Sequence, residues 1–389
     1  MKVLHVIPSI AAVHGGPSRA ALLMEKVLLQ QNVQVEIAAT SGSDYRATEL
    51  VAPAPGLTHH LFRRLFDFYK TSPALVTWLW KHVADYDLVH IHALFSFSST
   101  AAAMVARMRG VPYIVRPLGT LASYGREHHR PLLKRLSIAC LEGSLLRHAA
   151  AVHFTADSEQ AEAATLGIAF NSVVLPLGIE SEPAVAATVL HTRFPQCIGK
   201  QLVLFLSRLD PKKNIEGLLQ AFAQVKDAFP DVMLVVAGQG TTAYEAKLRQ
   251  LATQLSLGDR VCWTGQVEGE LKSSLLRAAA VFVLPSWSEN FGIAAVEALM
   301  AGLPCVLGEG VAVAADVGAA GAGLVVTTQP SVIADALTTL LTDAALRESM
   351  GQRASALARR QYSADAMGSR LVTLYESVIA AHTADVKRN

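Results

Sequence analysis

The run Leu202-Val203-Leu204-Phe205-Leu206-Ser207-Arg208-Leu209-Asp210-Pro211-Lys212-Lys213-Asn214 passes from an unbroken apolar stretch straight into a basic turn. A short run of this kind, closed by turn residues and followed by a helical pattern beginning near Asn214, is a strand buried on both faces and then the helix that covers it. The rhythm recurs at Val232 to Ala237, Val261 to Thr264, Val281 to Leu284 and Pro304 to Leu307. It recurs in the first half too, with strands expected near residues 2–7, 33–39, 87–91, 112–116, 150–154 and 172–175. Such alternation is the sequence form of a parallel sheet covered by helices, so the fold class is α/β, with two Rossmann-like doubly wound domains in tandem.

Length and composition agree. The chain has 389 residues, 51% hydrophobic and 17% charged, which is too apolar for disorder and long enough for two cores. Mean hydropathy is +0.33, yet the longest unbroken apolar run, Ala278 to Leu284, is seven residues, and a spanning helix needs about 20. Met1 to Pro8 reads as a strand entering a Gly-Pro loop and not as a signal peptide. Cys140, Cys197, Cys262 and Cys305 form neither a disulfide framework nor a metal spacing. A reduced cytoplasm suits them. The 34 basic and 32 acidic residues are too evenly balanced for nucleic-acid binding. Residues 1–180 carry a small positive excess, 16 Lys and Arg against 13 Asp and Glu, and 11 of the 13 histidines.

A domain boundary is expected after Pro176-Leu177-Gly178, where the loose, polar segment Ile179 to Ala187 begins. The expected domains are residues 1–178 and 179–364. Residues 365–382 read as one amphipathic helix, with Met367, Leu371, Leu374, Tyr375 and Val378 on one face. The tail 365–389 is able to pack back on either domain, and the N-terminal one is the expectation.

Two constellations carry chemistry. In the first, Arg208 and Lys213 lie at a strand C-terminal end beside a helix N-terminus, where a guanidinium fork and an ammonium suit a diphosphate; the plainer alternative is a solvated turn. In the second, Pro285-Ser286-Trp287-Ser288-Glu289-Asn290-Phe291-Gly292 leads into a helix carrying Glu297. Carboxylates accept paired hydrogen bonds from vicinal hydroxyls, so Glu289 and Glu297 suit the hexose and ribose ends of a sugar nucleotide. Asn290, Phe291 and Gly292 offer backbone N–H groups at the helix start. The alternative is a helix cap at Glu289 and a paired Glu297.

Together these features resemble glycosyltransferase family 4, retaining nucleotide-sugar-dependent enzymes of the GT-B fold. The resemblance rests on Arg208 with Lys213, Ala237-Gly238-Gln239-Gly240, Gly265 after its strand, and Glu289 to Glu297, which matches the family's Glu-x7-Glu motif. More weakly, Gly15-Gly16-Pro17-Ser18-Arg19 looks like the family's glycine-rich loop, and Asp87 to His92 like its acceptor-side strand. It implies two domains facing across a cleft and transfer of a hexosyl group, from a UDP- or GDP-sugar to an acceptor hydroxyl, with retention. Arg208 and Lys213 would neutralise the diphosphate, Glu297 hold the ribose and Glu289 contact the hexose. Backbone groups near Gly265, Gln266 and Val267 would meet the base, and Gly15 and Gly16 would let the first loop approach the diphosphate. It implies no cofactor and no metal. The acceptor would be a glycan or lipid-linked glycan of bacterial surface polysaccharide or glycolipid assembly. Where many family members place a histidine, this chain has Arg116-Pro117-Leu118-Gly119-Thr120, which leaves His92 and Arg116 as the acceptor-side candidates.

Competing readings have their own residues. Gly238-x-Gly240-x-x-Ala243, with Asp259 further on, formally meets the dinucleotide fingerprint and would make the chain an NAD-dependent oxidoreductase, but it follows the second strand of its domain, not the first. A sugar-nucleotide-binding protein without turnover is the third class. Asp85-Tyr86-Asp87 imitates a metal motif at the wrong end of its strand. Phe62 to Lys70, with Trp78 and Trp80, and Arg126 to Arg147 mix basic and apolar residues. They suit either helices covering the first sheet or peripheral contact with an anionic membrane. The expected location is the cytoplasm, with the inner face of the membrane as the open alternative.

Overall fold

The computed structural model describes residues 1–14, 16–43, 56–66, 68–121, 131–180, 186 and 188–388. Among these, thirteen strands pair in parallel into two sheets. The first holds β1 (Lys2–Ile7), β2 (Gln34–Ser41), β3 (Thr58–Arg63), β4 (Leu88–His92), β5 (Tyr113–Arg116), β6 (Ala151–Phe154) and β7 (Ser172–Val174), in the order β3-β2-β1-β4-β5-β6-β7. The second holds β8 (Gln201–Leu206), β9 (Val232–Ala237), β10 (Val261–Gly265), β11 (Ala279–Leu284), β12 (Cys305–Gly308) and β13 (Gly323–Val326), in the order β10-β9-β8-β11-β12-β13. Each order reverses direction once, between β1 and β4 and between β8 and β11. These are the switch points where open α/β sheets bind ligands. The chain forms two units, Met1–Gly178 with Ala364–Asn389, and Ile179–Ser363.

Central strands match their sequence signature because helices cover both faces: all six residues of β9 and all five of β4 are buried. The two strands absent from the sequence reading are edge strands. β3, Thr58-His59-His60-Leu61-Phe62-Arg63, is half-buried along its length, and β13 is only four residues long. A strand covered on one side lacks the continuous apolar run that identifies its neighbours. The stretch Phe62 to Lys70 is therefore no amphipathic helix: Phe62 and Arg63 finish β3, and Phe68–Lys70 is a tight turn with Tyr69 and Lys70 left-handed, φ 57° and 49°.

One sheet face in the first unit is polar although buried. Parallel register sets His5 beside His90 and His92 beside Arg116, and residues two apart on a strand share a face. Helices Gly16–Gln30 and Ala364–Arg388 pack together over this layer. A Cβ at Gly368 would run into Val27, so the missing side chain sets how closely they approach. Met24 of the first helix touches Arg116, and Tyr375 of the second reaches the histidines.

The hydrogen bonds in this layer run in one direction. Leu175 O only accepts, so His153 Nε2 carries the proton donated to it at 2.8 Å. His153 Nδ1 then accepts from His90 Nε2 at 3.4 Å, and His90 Nδ1 accepts from the Tyr375 hydroxyl at 2.7 Å. His5 Nε2 donates to that hydroxyl at 3.1 Å, and His92 Nε2 donates to His5 Nδ1 at 3.2 Å. One carbonyl thus fixes four tautomers. Burial, reinforced by the Arg116 cation, holds His5 and His153 down at about 3. His90 and His92 are lowered by burial and by their neighbours.

These rings are neutral in the fold and take up protons near pH 6.5 once unfolded, so the unfolded state binds the extra protons and stability falls as pH drops from 6.5 toward 3. The expected slope is about 1.4 kcal/mol per pH unit for each ring. Urea unfolding followed from pH 7 downward should show the midpoint of the first unit falling steeply. A midpoint that stays level through this range would mean that the buried rings are already charged.

Candidate active site

The C-terminal edge of the second sheet is built by backbone contact between loops. After β8 the chain makes the turn Ser207 to Asp210, a 3-10 turn over Pro211–Lys213, and the helix Ile215–Val225. The Asp210 carboxylate accepts from Lys212 N at 3.0 Å. Asn214 joins the turns in the left-handed conformation, φ 54°, which Asn tolerates better than most residues. Its amide donates to Thr328 O at 2.9 Å, in space that Gly217 leaves open. The loop after β9 lies against this turn: Leu209 N donates to Gln239 O at 3.0 Å. A Cβ on Gly238 would collide with Ser207 O, and one on Gly240 with Leu209 O. The Gly-x-Gly pair is thus a loop-packing device.

The β12 side repeats this solution. Cβ atoms on Gly308 and Gly310 would strike the carbonyls of Ser286 and Trp287, so these glycines seat the loop after β11. That loop is also tied across the switch point, with Trp287 N donating to Lys212 O at 2.9 Å. Glu289 N donates to Gly310 O at 2.8 Å, and Glu289 O accepts from Ala312 N at 3.1 Å.

Side chains from the two loops meet there. Lys213 is 8% exposed, and its Nζ is ion-paired with the Glu289 carboxylate. Burial, with the neighbouring Arg208 and Lys212 cations, pushes Lys213 down to about 8. Arg208 stands exposed on the same turn. Glu297, in the helix Ile293–Met300, accepts from Lys272 Nζ at 2.8 Å. Gly292, not Glu289, takes the cap position of that helix, with φ 91°. Asn290 is exposed. Phe291 is buried edge-to-face on Tyr362, with ring centres 5.8 Å apart, so its side chain holds the fold. Gly265 is exposed at the end of β10 with φ 69°, and Val267 beyond it is buried.

The structure thus brings Lys213 and Glu289 together beside Arg208, and gives Glu297 a different lysine. Sequence spacing does not point to Lys272, which lies 25 residues from Glu297 in no spacing that marks a pair. In the first unit Gly16 opens the helix Gly16–Gln30, and Gly15 lies outside the described residues. The acceptor-side expectation for His92 and Arg116 is corrected: they are 0% and 2% exposed, on the sheet face that the two helices cover. His5, His90 and His92 hold nitrogens within 4.8 Å of one another. All their ring nitrogens but His92 Nδ1 serve the hydrogen-bond chain, and the Arg116 cation beside them opposes a metal ion. Another buried group that sequence spacing concealed is Glu142, which accepts from Phe95 N at 2.9 Å where the backbone is left-handed at Ala93 and Phe95. Burial pushes its carboxyl up to about 7.

Comparison with known proteins matches both units. Residues 15–178 fit the "Glycosyl transferase 4-like domain" model, and residues 194–356 fit "Glycosyl transferases group 1". The phosphatidyl-myo-inositol mannosyltransferase of Mycobacterium leprae is 28% identical over 390 aligned positions, covering 97% of each chain. The GDP-mannose-dependent monoacylated alpha-(1-6)-phosphatidylinositol monomannoside mannosyltransferase of Corynebacterium glutamicum is 32% identical over 178 positions, which cover 44% of this chain and 46% of that one. Among solved structures, Anabaena HepE in complex with UDP superposes with a TM-score of 0.79 at 19% identity, covering 97% of this chain and all of that one.

The loop packing yields a direct test. Gly310→Ala places a methyl against the Trp287 carbonyl and should destabilise the second unit by about 1–3 kcal/mol, the usual cost of overpacking. Gly199→Ala, whose new methyl meets nothing within 4 Å, carries only the left-handed backbone cost of roughly 1–2 kcal/mol. Equal melting temperatures for Gly310→Ala and the parent chain would refute the close approach.

Proposed function

We propose, from the premise that this chain belongs to glycosyltransferase family 4 and is a glycosyltransferase of the GT-B fold, that it moves a hexosyl group from a UDP- or GDP-sugar to an acceptor hydroxyl with retention. The observation that carries this reading is the ion pair of buried Lys213 with half-buried Glu289, beside Arg208 at the β8/β11 switch point. As the donor bond breaks, negative charge grows on the leaving diphosphate. Preorganised cations aimed at that charge stabilise the transition state more than the ground state. Lys213 is held in place before the donor arrives, by burial in its turn and by the ion pair with Glu289. Arg208 adds a planar fork able to bind two phosphate oxygens at once.

The two carboxylates divide the sugars. Glu289, on a loop pinned by Gly310 and Ala312, faces the hexose; Glu297, on a helix, takes the ribose hydroxyls. Lys272 orients Glu297 and becomes part of the donor site. Backbone groups near Gly265 and Val267 receive the base, and those of Asn290, Phe291 and Gly292 complete the sugar and phosphate contacts. With Arg208 and Lys213 supplying positive charge, the proposed reaction uses no metal and no cofactor.

A lipid-linked acceptor at the inner face of the membrane fits this reading. The Mycobacterium leprae and Corynebacterium glutamicum relatives are named for phosphatidylinositol-based acceptors. From Phe97 to His148 this chain carries eight Lys and Arg against two acidic residues, with Leu133 and Leu136 exposed among them. Among the described residues no helix is long and apolar enough to cross a membrane, so the contact proposed is peripheral.

Thermal shifts with UDP, GDP, ADP and NAD test the donor site, since a ligand that binds the native state raises its melting temperature. One of UDP and GDP should stabilise the chain, and Lys213→Ala should abolish the effect. In turnover, Arg208→Ala and Lys213→Ala should each lose roughly a hundred- to a thousand-fold in kcat. Stabilisation by NAD alone, or near-parental turnover in both variants, would sink the assignment.

A further inference from the structure

The first unit holds a cavity of about 210 Å³ between the helix Phe97–Met108 and the segment formed by the π turn Ile138–Glu142 and the helix Gly143–His148. Its inner wall is Ala103, Tyr113 and Leu145, all buried. Its mouth is Met104, Cys140 and Leu141, all exposed, with Arg107 beside them. The π turn shapes this mouth. A turn one residue wider than an α-helix needs backbone room, and a Cβ at Gly143 would run into Ile138 O, so Gly143 permits the wide turn that carries Cys140 and Leu141.

Two polar groups that line the cavity are already engaged by the protein, and Ser144 lines it beside them. The Tyr113 hydroxyl donates to Leu145 O at 2.8 Å, and Thr100 Oγ1 bonds Ser96 O at 3.2 Å and the Tyr69 hydroxyl at 3.1 Å. What remains is an apolar slot, smaller than the roughly 300–1,000 Å³ usual for whole small-molecule ligands. A sugar or nucleotide would find few partners in it. The surface outside is apolar and cationic: Met108, Leu133 and Leu136 are exposed, as are Arg107, Arg109, Arg135 and Arg147 of the span Phe97 to His148. Of its two acidic residues, Glu142 is fully buried and Glu127 lies outside the described residues.

We infer that this cavity receives one acyl chain of an anionic membrane phospholipid whose head group rests on the basic surface around Arg107. The inference builds on the peripheral membrane contact proposed above. A lipid supplies both complements at once, hydrocarbon for the slot and negative charge for the rim. A single chain drawn from the bilayer would fix the depth and orientation of the first unit, which charge attraction alone leaves free.

The test uses the full chain and vesicles of phosphatidylglycerol that carry a diazirine in mid-acyl chain, with phosphatidylcholine vesicles bearing the same probe lipid at trace level for comparison. Sedimentation reports membrane binding, and mass spectrometry of the photolabelled peptides reports where the chain lies. The expected result is sedimentation with the anionic vesicles and label on Ala103, Tyr113 or Leu145. Ser144→Phe, which fills the slot, should lose that label while still sedimenting. Sedimentation with label confined to Leu133, Leu136 and other outer residues would overturn the acyl pocket and leave the membrane reading standing. Failure to sediment, with no inner label, would overturn both. The labelling pattern of the parent chain decides the matter even if the filled variant does not fold.

Discussion

The C-terminal edge of the second sheet depends on backbone meeting backbone. Four carbonyls, those of Ser207, Leu209, Ser286 and Trp287, occupy places where a β-carbon on Gly238, Gly240, Gly308 or Gly310 would have to go. Strands that run parallel deliver their loops to one edge, but ordinary side chains would keep those loops apart. Removing four β-carbons lets the loop bearing Arg208 and Lys213 and the loop bearing Glu289 settle at fixed heights on their neighbours. Trp287 N to Lys212 O then locks one to the other. The ion pair of Lys213 with Glu289 is a consequence of that packing.

The two units solve different problems at their interiors. The second buries the Lys213 ammonium at the C-terminal edge of its sheet and gives it a half-buried carboxylate, that of Glu289. The first buries four histidines and an arginine beneath a helix from the far end of the chain. Desolvating those groups is costly unless they have partners; the one-way hydrogen-bond chain from His92 to Leu175 O serves the four histidines, leaving His92 Nδ1 and Arg116 Nε unpartnered. Directional bonds of this kind admit only one seating of Tyr375, whereas an apolar layer would tolerate several.

What could be read in advance follows from how far apart the interacting residues lie. β8, β9 and β11 announce themselves because burial on both faces leaves a local apolar run, and Glu289 with Glu297 can be read because one short segment holds both. Edge strands β3 and β13 are half-covered, so their sequences carry no such mark. The Lys272–Glu297 pair joins two helices with no spacing rule between them. His5 and Tyr375 are separated by 370 residues, and no periodicity spans that distance. His92 and Arg116 illustrate the same limit from the other side: a strand end looks open in sequence, while the helices that cover this one come from elsewhere.

The return of the C-terminal helix to the first unit also sets an order of events during synthesis. Residues up to Gly178 emerge early, yet the element carrying Tyr375 emerges only after the whole second unit. At ordinary elongation rates the gap is roughly 10 to 40 s, during which one face of the first sheet waits without its lid. A bare aliphatic face would invite aggregation over such an interval. A face bearing His5, His90, His92, His153 and Arg116 offers water polar groups instead, until the C-terminal helix covers it.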